Sequence, residues 1–273
     1  MMNFALLASG SKGNCFLLKD EGTVLQIDCG TTKRYLNECF QALHHTNEET
    51  DALLITHDHS DHVSQIKMFN DLNIYSPVEI PDVDTFMVRP LQEFTVGSLQ
   101  ITPLALSHDA LNTTGYVIED GIEKLTYITD TGYLNERYYE MIAGSDYIVM
   151  ESNHDVEMLM QTRRPQYVKA RIYSDQGHLN NDACAEILDH VVTENTKEII
   201  LAHISQEGNT REKALETSCR ALRHHQGALN PKLIVSAAGQ FEMIRKGKND
   251  EESDPGSVSC AVGMECLADC PHL

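Results

Sequence analysis

Apolar runs at Phe4–Leu7, Cys15–Leu18 and Val24–Ile27, separated by turns that contain glycine, predict three consecutive antiparallel strands. From Thr32 to His45 the apolar positions Tyr35, Leu36, Cys39, Phe40 and Leu43 recur at spacings of one, three and four, which predicts a helix. A buried strand follows at Ala52–Ile55, and a stripe of Val63, Ile66, Phe69 and Leu72 predicts a helix over 63–72. Further strands are predicted at 91–96, 99–106, 113–119 and 124–129, with turns at Val96-Gly97-Ser98 and Asp120-Gly121.

Past Asp130 helical periodicity becomes frequent. Helices are expected at 135–143, 156–161, 165–173, 180–194 and 210–225, and buried strands at 147–150 and 198–202. Closing strands are expected at 233–236 and 241–244. Strands interrupted by helices throughout imply an α/β (α+β) chain, with two mixed β-sheets packed face to face and helices outside them. We expect one folded domain over 1–248. Residues 249–273 are acidic, contain Gly, Ser and Cys, and show no periodicity, so they are expected to form a disordered tail.

Polar residues gather where the apolar runs stop. The run Leu53-Leu54-Ile55 ends in Thr56-His57-Asp58-His59-Ser60-Asp61-His62, which places His57, His59, Asp61 and His62 at spacings of two, two and one. Such spacing cannot lie on one helix face, but it suits a loop at a strand end, where side chains converge on a metal ion. Later strands end in the same residue types: His108 after 99–106, Asp130 after 124–129, Glu151 after 147–150 and His203 after 198–202.

Composition narrows the setting. The formal charge of −20 argues against a broad electrostatic grip on nucleic acid. Six of those charges (Asp250, Glu251, Glu252, Asp254, Glu265 and Asp269) lie in the expected tail, and carboxylates bound to dications are neutralised. The N-terminal apolar patch is short and lacks a basic flank, and no run is long enough to span a membrane, so a cytoplasmic protein without membrane association is expected. The eight cysteines, scattered and without a CxxC pair, read as reduced thiols.

Thr-His-Asp-His-Ser-Asp-His resembles the HxHxDH signature of the metallo-β-lactamase-fold hydrolases, whose fold is a four-layer αββα sandwich. The resemblance implies two divalent ions, most simply Zn²⁺, with Mn²⁺ or Fe as alternatives. One would be held by His57, His59 and His108, the other by Asp61, His62 and His203, with Asp130 bridging. A hydroxide shared by the two ions would be the nucleophile, which Asp61 could orient. The segments Asp146–Ser152, Gln176–Asn181 and Ala202–Ser205 resemble those of ribonuclease Z-like enzymes, which implies a Glu151–His178 relay that protonates the leaving oxygen. Ala8–Cys15, Thr129–Tyr133, Glu151–Asp155 and Gly177–Asn181 are similar to motifs of the YycJ/WalJ group, an exonuclease-like branch of this superfamily.

These resemblances imply a dinuclear phosphodiester hydrolase acting on DNA or RNA, a 5′-exonuclease. The alternative is a thioester or lactone hydrolase of the glyoxalase II type, which would need no acid relay but a C-terminal module for the thiol carrier. A third reading is a non-enzymatic metal-binding scaffold. Neither the large inserted domain of the β-CASP nucleases nor the basic arm of ribonuclease Z is evident. Substrate contacts are therefore sought in the basic stretch Arg163, Arg164, Lys169 and Arg171, which reads equally as a solvated helical face. His154 is read as a phosphate contact or as a cap of the following helix. The turn Ser9–Asn14 reads as an anion cradle or a plain tight turn.

Overall fold

A computed structural model of the chain describes residues 1–246 and 258–261. Its strands are β1 (Asn3–Ala8), β2 (Cys15–Asp20), β3 (Thr23–Ile27), β4 (Ala52–Leu54), β5 (Asn73–Ser76), β6 (Phe86–Met87), β7 (Phe94–Val96) and β8 (Leu99–Ala105). They continue with β9 (Thr114–Glu119), β10 (Lys124–Ile128), β11 (Tyr147–Glu151), β12 (Glu198–Ala202), β13 (Ile234–Ala237), β14 (Ile244–Arg245) and β15 (Val258–Ala261). The α-helices are α1 (Lys33–Ala42), α2 (Ser60–Val63), α3 (Tyr139–Ile142), α4 (Val156–Gln161), α5 (Gln166–Tyr173), α6 (Asn181–Val191) and α7 (Arg211–Arg223). The chain divides into unit 1, Met1–Lys124 with the segment that starts at Gly239, and unit 2, Leu125–Ala238 with β15.

Unit 1 carries a seven-stranded mixed sheet in the order β14-β1-β2-β3-β4-β5-β6. Its first strands pair antiparallel as the turns predict, whereas β3, β4, β5 and β6 run parallel, so β3 and β4 end at the same rim. β3 and β4 are buried throughout, which their continuous apolar runs require. Helix α1 starts at Thr32, whose side chain accepts the Tyr35 amide, and buries Leu36, Cys39 and Phe40 in a core with Leu7, Cys15, Leu53 and Ile55. The antiparallel strands β7, β8 and β9 form a second ladder.

Unit 2 is built on the parallel strands β10, β11, β12 and β13, with β15 antiparallel to β13. Side chains of Asn180 and Thr210 cap α6 and α7, and each helix buries an apolar stripe. With two mixed β-sheets and helices beside them, the fold is α/β as predicted. Among the described residues no helix is long and apolar enough to cross a membrane.

Two of the expected helices are corrected. The helix expected over 63–72 is broken into α2 and a 3₁₀ turn at Ile66–Phe69, because the Gln65 amide donates to the Cys29 carbonyl at 3.0 Å instead of continuing a helical ladder. The helix expected over 135–143 is a 3₁₀ turn followed by the single turn of α3. Strands β5 and β6 were not foreseen, since four and two residues are too few to show a period. Within 249–273, Val258–Ala261 form a strand, and the rest of that stretch lies outside the described residues.

Candidate metal centre

In unit 1 the ligand loop leaves β4 and is tied down by backbone hydrogen bonds. The Cys29 amide donates to the His62 carbonyl at 2.7 Å, and the Asn14 amide donates to the Asp61 carbonyl at 2.8 Å. Gly30 lies so close beneath that a Cβ there would fall 1.6 Å from the Asp61 carbonyl oxygen, so glycine is needed for space. In the turn Ser9–Asn14 three backbone donors are already engaged: Gly10 to Asn14 Oδ1, Gly13 to the Gly10 carbonyl and, at the surface, Lys12 to Gln240 Oε1. It acts as a tight turn buttressing the loop, not as an anion cradle.

Asp28, just past β3 and with a φ of +58°, is the organising residue of this half. It is fully buried. Its Oδ1 accepts the Thr56 amide at 2.9 Å, and its Oδ2 accepts the Thr56 hydroxyl at 2.8 Å and His62 Nδ1–H at 2.7 Å. Burial raises its pKa, while His62 and the Thr56 donors pull the other way. A carboxylate can only accept here, so Nδ1 carries the proton and Nε2 keeps its lone pair; Asn14 Nδ2, which donates to the Gly10 carbonyl at 3.1 Å, lies 2.9 Å from that Nε2. His57 and His62 are fully buried, and their rings lie 4.0 Å apart. His57, His59 and His108 bring one ring nitrogen each within 4.8 Å of one another. Asp109 adds a carboxylate 3.2 Å from His108 Nε2 and 3.8 Å from His59 Nε2. Asp61 Oδ2 lies 3.8 Å from His62 Nε2.

In unit 2 the parallel register aligns three strand ends. Ile128 pairs with Met150 and Met150 with Leu201, so Asp130, Glu151 and His203 emerge at one rim. Asp130 and His203 both hold positive φ, +58° and +53°, at the turns out of their strands. The fully buried Glu151 accepts His178 Nδ1–H at 2.8 Å and His203 Nδ1–H at 3.0 Å on the same oxygen, and the Thr131 amide at 2.7 Å on the other. Burial pushes its carboxyl upward, but the two imidazoles outweigh this and hold its pKa at about 2. Asp130 Oδ1 lies 3.4 Å from His203 Nε2 and 3.7 Å from His178 Nδ1. One ligand atom from each of Asp130, Glu151, His178 and His203 falls within the same 4.8 Å.

Within each unit the structure thus gathers the residues the sequence singled out, and it adds others. Asp28 stands at a strand end, the same signal that marks the ligands, and was missed. Asn153, which donates to the His203 carbonyl at 2.8 Å, and Asn209, which donates to the Ser152 and Asn153 carbonyls at 3.0 and 3.1 Å, carry no local signal. Imidazole and carboxylate donors at this spacing fit divalent transition ions.

The outer contacts need correction. Lys169 is buried, and its ammonium donates to the Met160 carbonyl at 2.6 Å near the end of α4, so it is not part of a basic surface. Arg164 pairs with Glu207 at 3.1 Å, while Arg163 and Arg171 are exposed. His154 is fully buried and bridges Asn180 through the backbone, and the cap of α4 is Asp155, which accepts the Met158 amide.

A family model described as the beta-lactamase superfamily domain matches residues 23–204. The exodeoxyribonuclease YycJ of Bacillus anthracis is 34% identical over 227 residues, covering 78% of this chain and 86% of that protein. The exodeoxyribonuclease WalJ of Streptococcus pneumoniae is 30% identical over 235 residues, covering 80% and 87%. Among solved structures, the metallo-beta-lactamase fold protein YhfI of Bacillus subtilis aligns with a TM-score of 0.67 at 17% identity, over 89% of this chain and 99% of that one.

Proposed function

Because this chain belongs to the beta-lactamase superfamily, we propose that it is a metal-dependent phosphodiesterase that removes nucleotides from DNA, starting at the 5′ end. The observation that carries this reading is the Glu151 carboxylate holding both His178 and His203. A thioester hydrolase has no use for such a pair, since a thiolate departs without a proton. A departing 3′-alkoxide requires one.

His57, His59 and His108 would hold one divalent ion and Asp61, His62 and His203 a second, with Asp130 serving both. Bound ions of this kind supply a nucleophile from water at neutral pH and positive charge for the phosphoryl oxygens. The chain's own groups do the rest. Asp28 and Glu151 fix the Nδ1–H tautomers of His62 and His203, so each offers Nε2. Glu151 likewise anchors Nδ1–H of His178, and in its imidazolium form that ring would pass its second proton, from Nε2, to the 3′-oxygen as the P–O3′ bond breaks, returning to the neutral Nδ1–H tautomer. Cys15, Cys29, Cys39, Cys184 and Cys219 are buried and form no disulfide, which suits a reducing cytoplasm.

The test compares the metal-loaded protein on 5′-labelled single-stranded DNA, RNA, bis-p-nitrophenyl phosphate and S-lactoylglutathione. DNA should be shortened from its 5′ end. His178→Ala should lose about 10²–10⁴-fold in kcat on DNA and much less on bis-p-nitrophenyl phosphate, whose leaving group needs no proton. Turnover of the thioester alone would sink the proposal.

A further inference from the structure

We propose that Tyr133 and Tyr173 form a base-stacking platform beside His178, which holds the unpaired end of a single strand. The inference rests on the nuclease reading above and names the form of substrate that the site takes.

Unit 2 buries Tyr127, Tyr138 and Tyr147 almost completely, yet leaves Tyr133 46% and Tyr173 53% exposed. Both exposed residues flank segments that carry the acid cluster, Tyr133 on the loop after Asp130 and Tyr173 at the end of the helix before His178. Tyr133 is three residues past Asp130, and Tyr173 ends α5, whose Ile172 carbonyl accepts the His178 amide at 2.9 Å. The two segments touch through backbone. A Cβ on Gly132 would lie 2.3 Å from the Asp175 carbonyl carbon, and one on Gly177 would lie 2.1 Å from the Ile172 carbonyl oxygen. Glycine at 132 lets the Asp130–Tyr133 segment close against the Tyr173–His178 segment, and glycine at 177 lets the latter fold back on the end of α5.

Neither ring hangs loose. Tyr173 stands edge-on to the buried His154, with centroids 6.3 Å apart at 68°. The Tyr133 hydroxyl accepts from Asn135 Nδ2 at 3.1 Å, and its carbonyl accepts the Thr131 hydroxyl at 2.7 Å. Two anchored, half-exposed aromatic faces lose little freedom when a base stacks on them.

Charge points the same way. The chain carries −20, and with Lys169 buried and Arg164 paired with Glu207 the stretch expected to grip phosphates is reduced to Arg163 and Arg171. Stacking needs no positive charge and is available only to unpaired bases, which makes a single-stranded end the fitting substrate.

The full-length, metal-loaded protein is assayed on a single-stranded oligonucleotide, on the same strand with abasic sites at its 5′ end, and on bis-p-nitrophenyl phosphate. For Tyr133→Ala and Tyr173→Ala the ratio of kcat/KM on the oligonucleotide to that on bis-p-nitrophenyl phosphate should fall about 5- to 100-fold, mostly through KM. Their preference for the intact over the abasic strand should shrink, and Tyr173→Trp should restore it. Tyr167→Ala is the control. Tyr167 is 77% exposed on the same helix, but six residues before Tyr173 it faces a different direction. An unchanged ratio in both alanine variants, or equal losses on the baseless substrate, would overturn the platform while leaving the nuclease reading intact. A wild-type protein that hydrolyses bis-p-nitrophenyl phosphate but leaves all DNA untouched would overturn the nuclease reading, and the platform with it.

Discussion

The Asp28 carboxylate accepts Nδ1–H of His62 at 2.7 Å, with both side chains fully buried. Through this bond the last residue of the ligand motif is aimed by a residue 34 positions earlier in the chain.

Replacing Asp28 by Asn keeps the shape and tolerates the positive φ, but removes the charge and turns one acceptor into a donor facing His62 or Thr56. We expect metal affinity to fall about 10- to 100-fold with the fold retained, measured by chelator competition beside circular dichroism. Asp28→Ala should also destabilise by about 2 kcal/mol or more, because the Thr56 amide and His62 are left unsatisfied in the interior.

Gly30→Ala tests the packing under the loop. Its Cβ would collide with the Asp61 carbonyl and the His62 amide, backbone atoms that cannot swing away. The expected cost is about 3 kcal/mol, the upper end for overpacking, with metal content falling in the purified protein. A variant with wild-type unfolding midpoint and metal content would show the loop to be less tightly seated.

Glu151→Gln and His178→Ala separate two roles of one carboxylate. Glu151 holds both His178 and His203, so its substitution should reduce metal affinity at least about ten-fold and also kcat. His178→Ala should reduce kcat on DNA with metal content unchanged. Metal analysis and steady-state kinetics on the same preparations distinguish these outcomes. Burial raises the Glu151 carboxyl but the two imidazoles hold it at about 2, so His178→Ala, which removes one of them, should move its pKa upward.

His154 makes stability depend on pH. Burial lowers its pKa from about 6.5 to about 4, and neither ring nitrogen has a hydrogen-bond partner. The unfolded chain takes up the proton below pH 6.5 and the folded chain only near pH 4. The stabilising contribution of the neutral ring is therefore complete above pH 6.5 and is lost as pH falls to 4, by about 3 kcal/mol. Urea midpoints of chelator-treated protein should decline over that window in the wild type and decline less in His154→Leu. Parallel declines would mean that the imidazole is not held neutral.

The sequence by itself determined the strands whose apolar runs are long enough to show a pattern, the ligand loop at 57–62 and the strand-end residues His108, Asp130, Glu151 and His203. Those features are local: a buried strand is apolar because both faces are covered, and its polar ending stands out against that run. Tertiary structure decided what depends on neighbours distant in the chain. It set Asp28 under His62, gave one Glu151 oxygen to two histidines, buried Lys169 and broke the helix after His62 with a bond from Gln65 to Cys29. A hydrogen bond is specified by two positions and an orientation, and only one of those positions is legible at a time along a sequence.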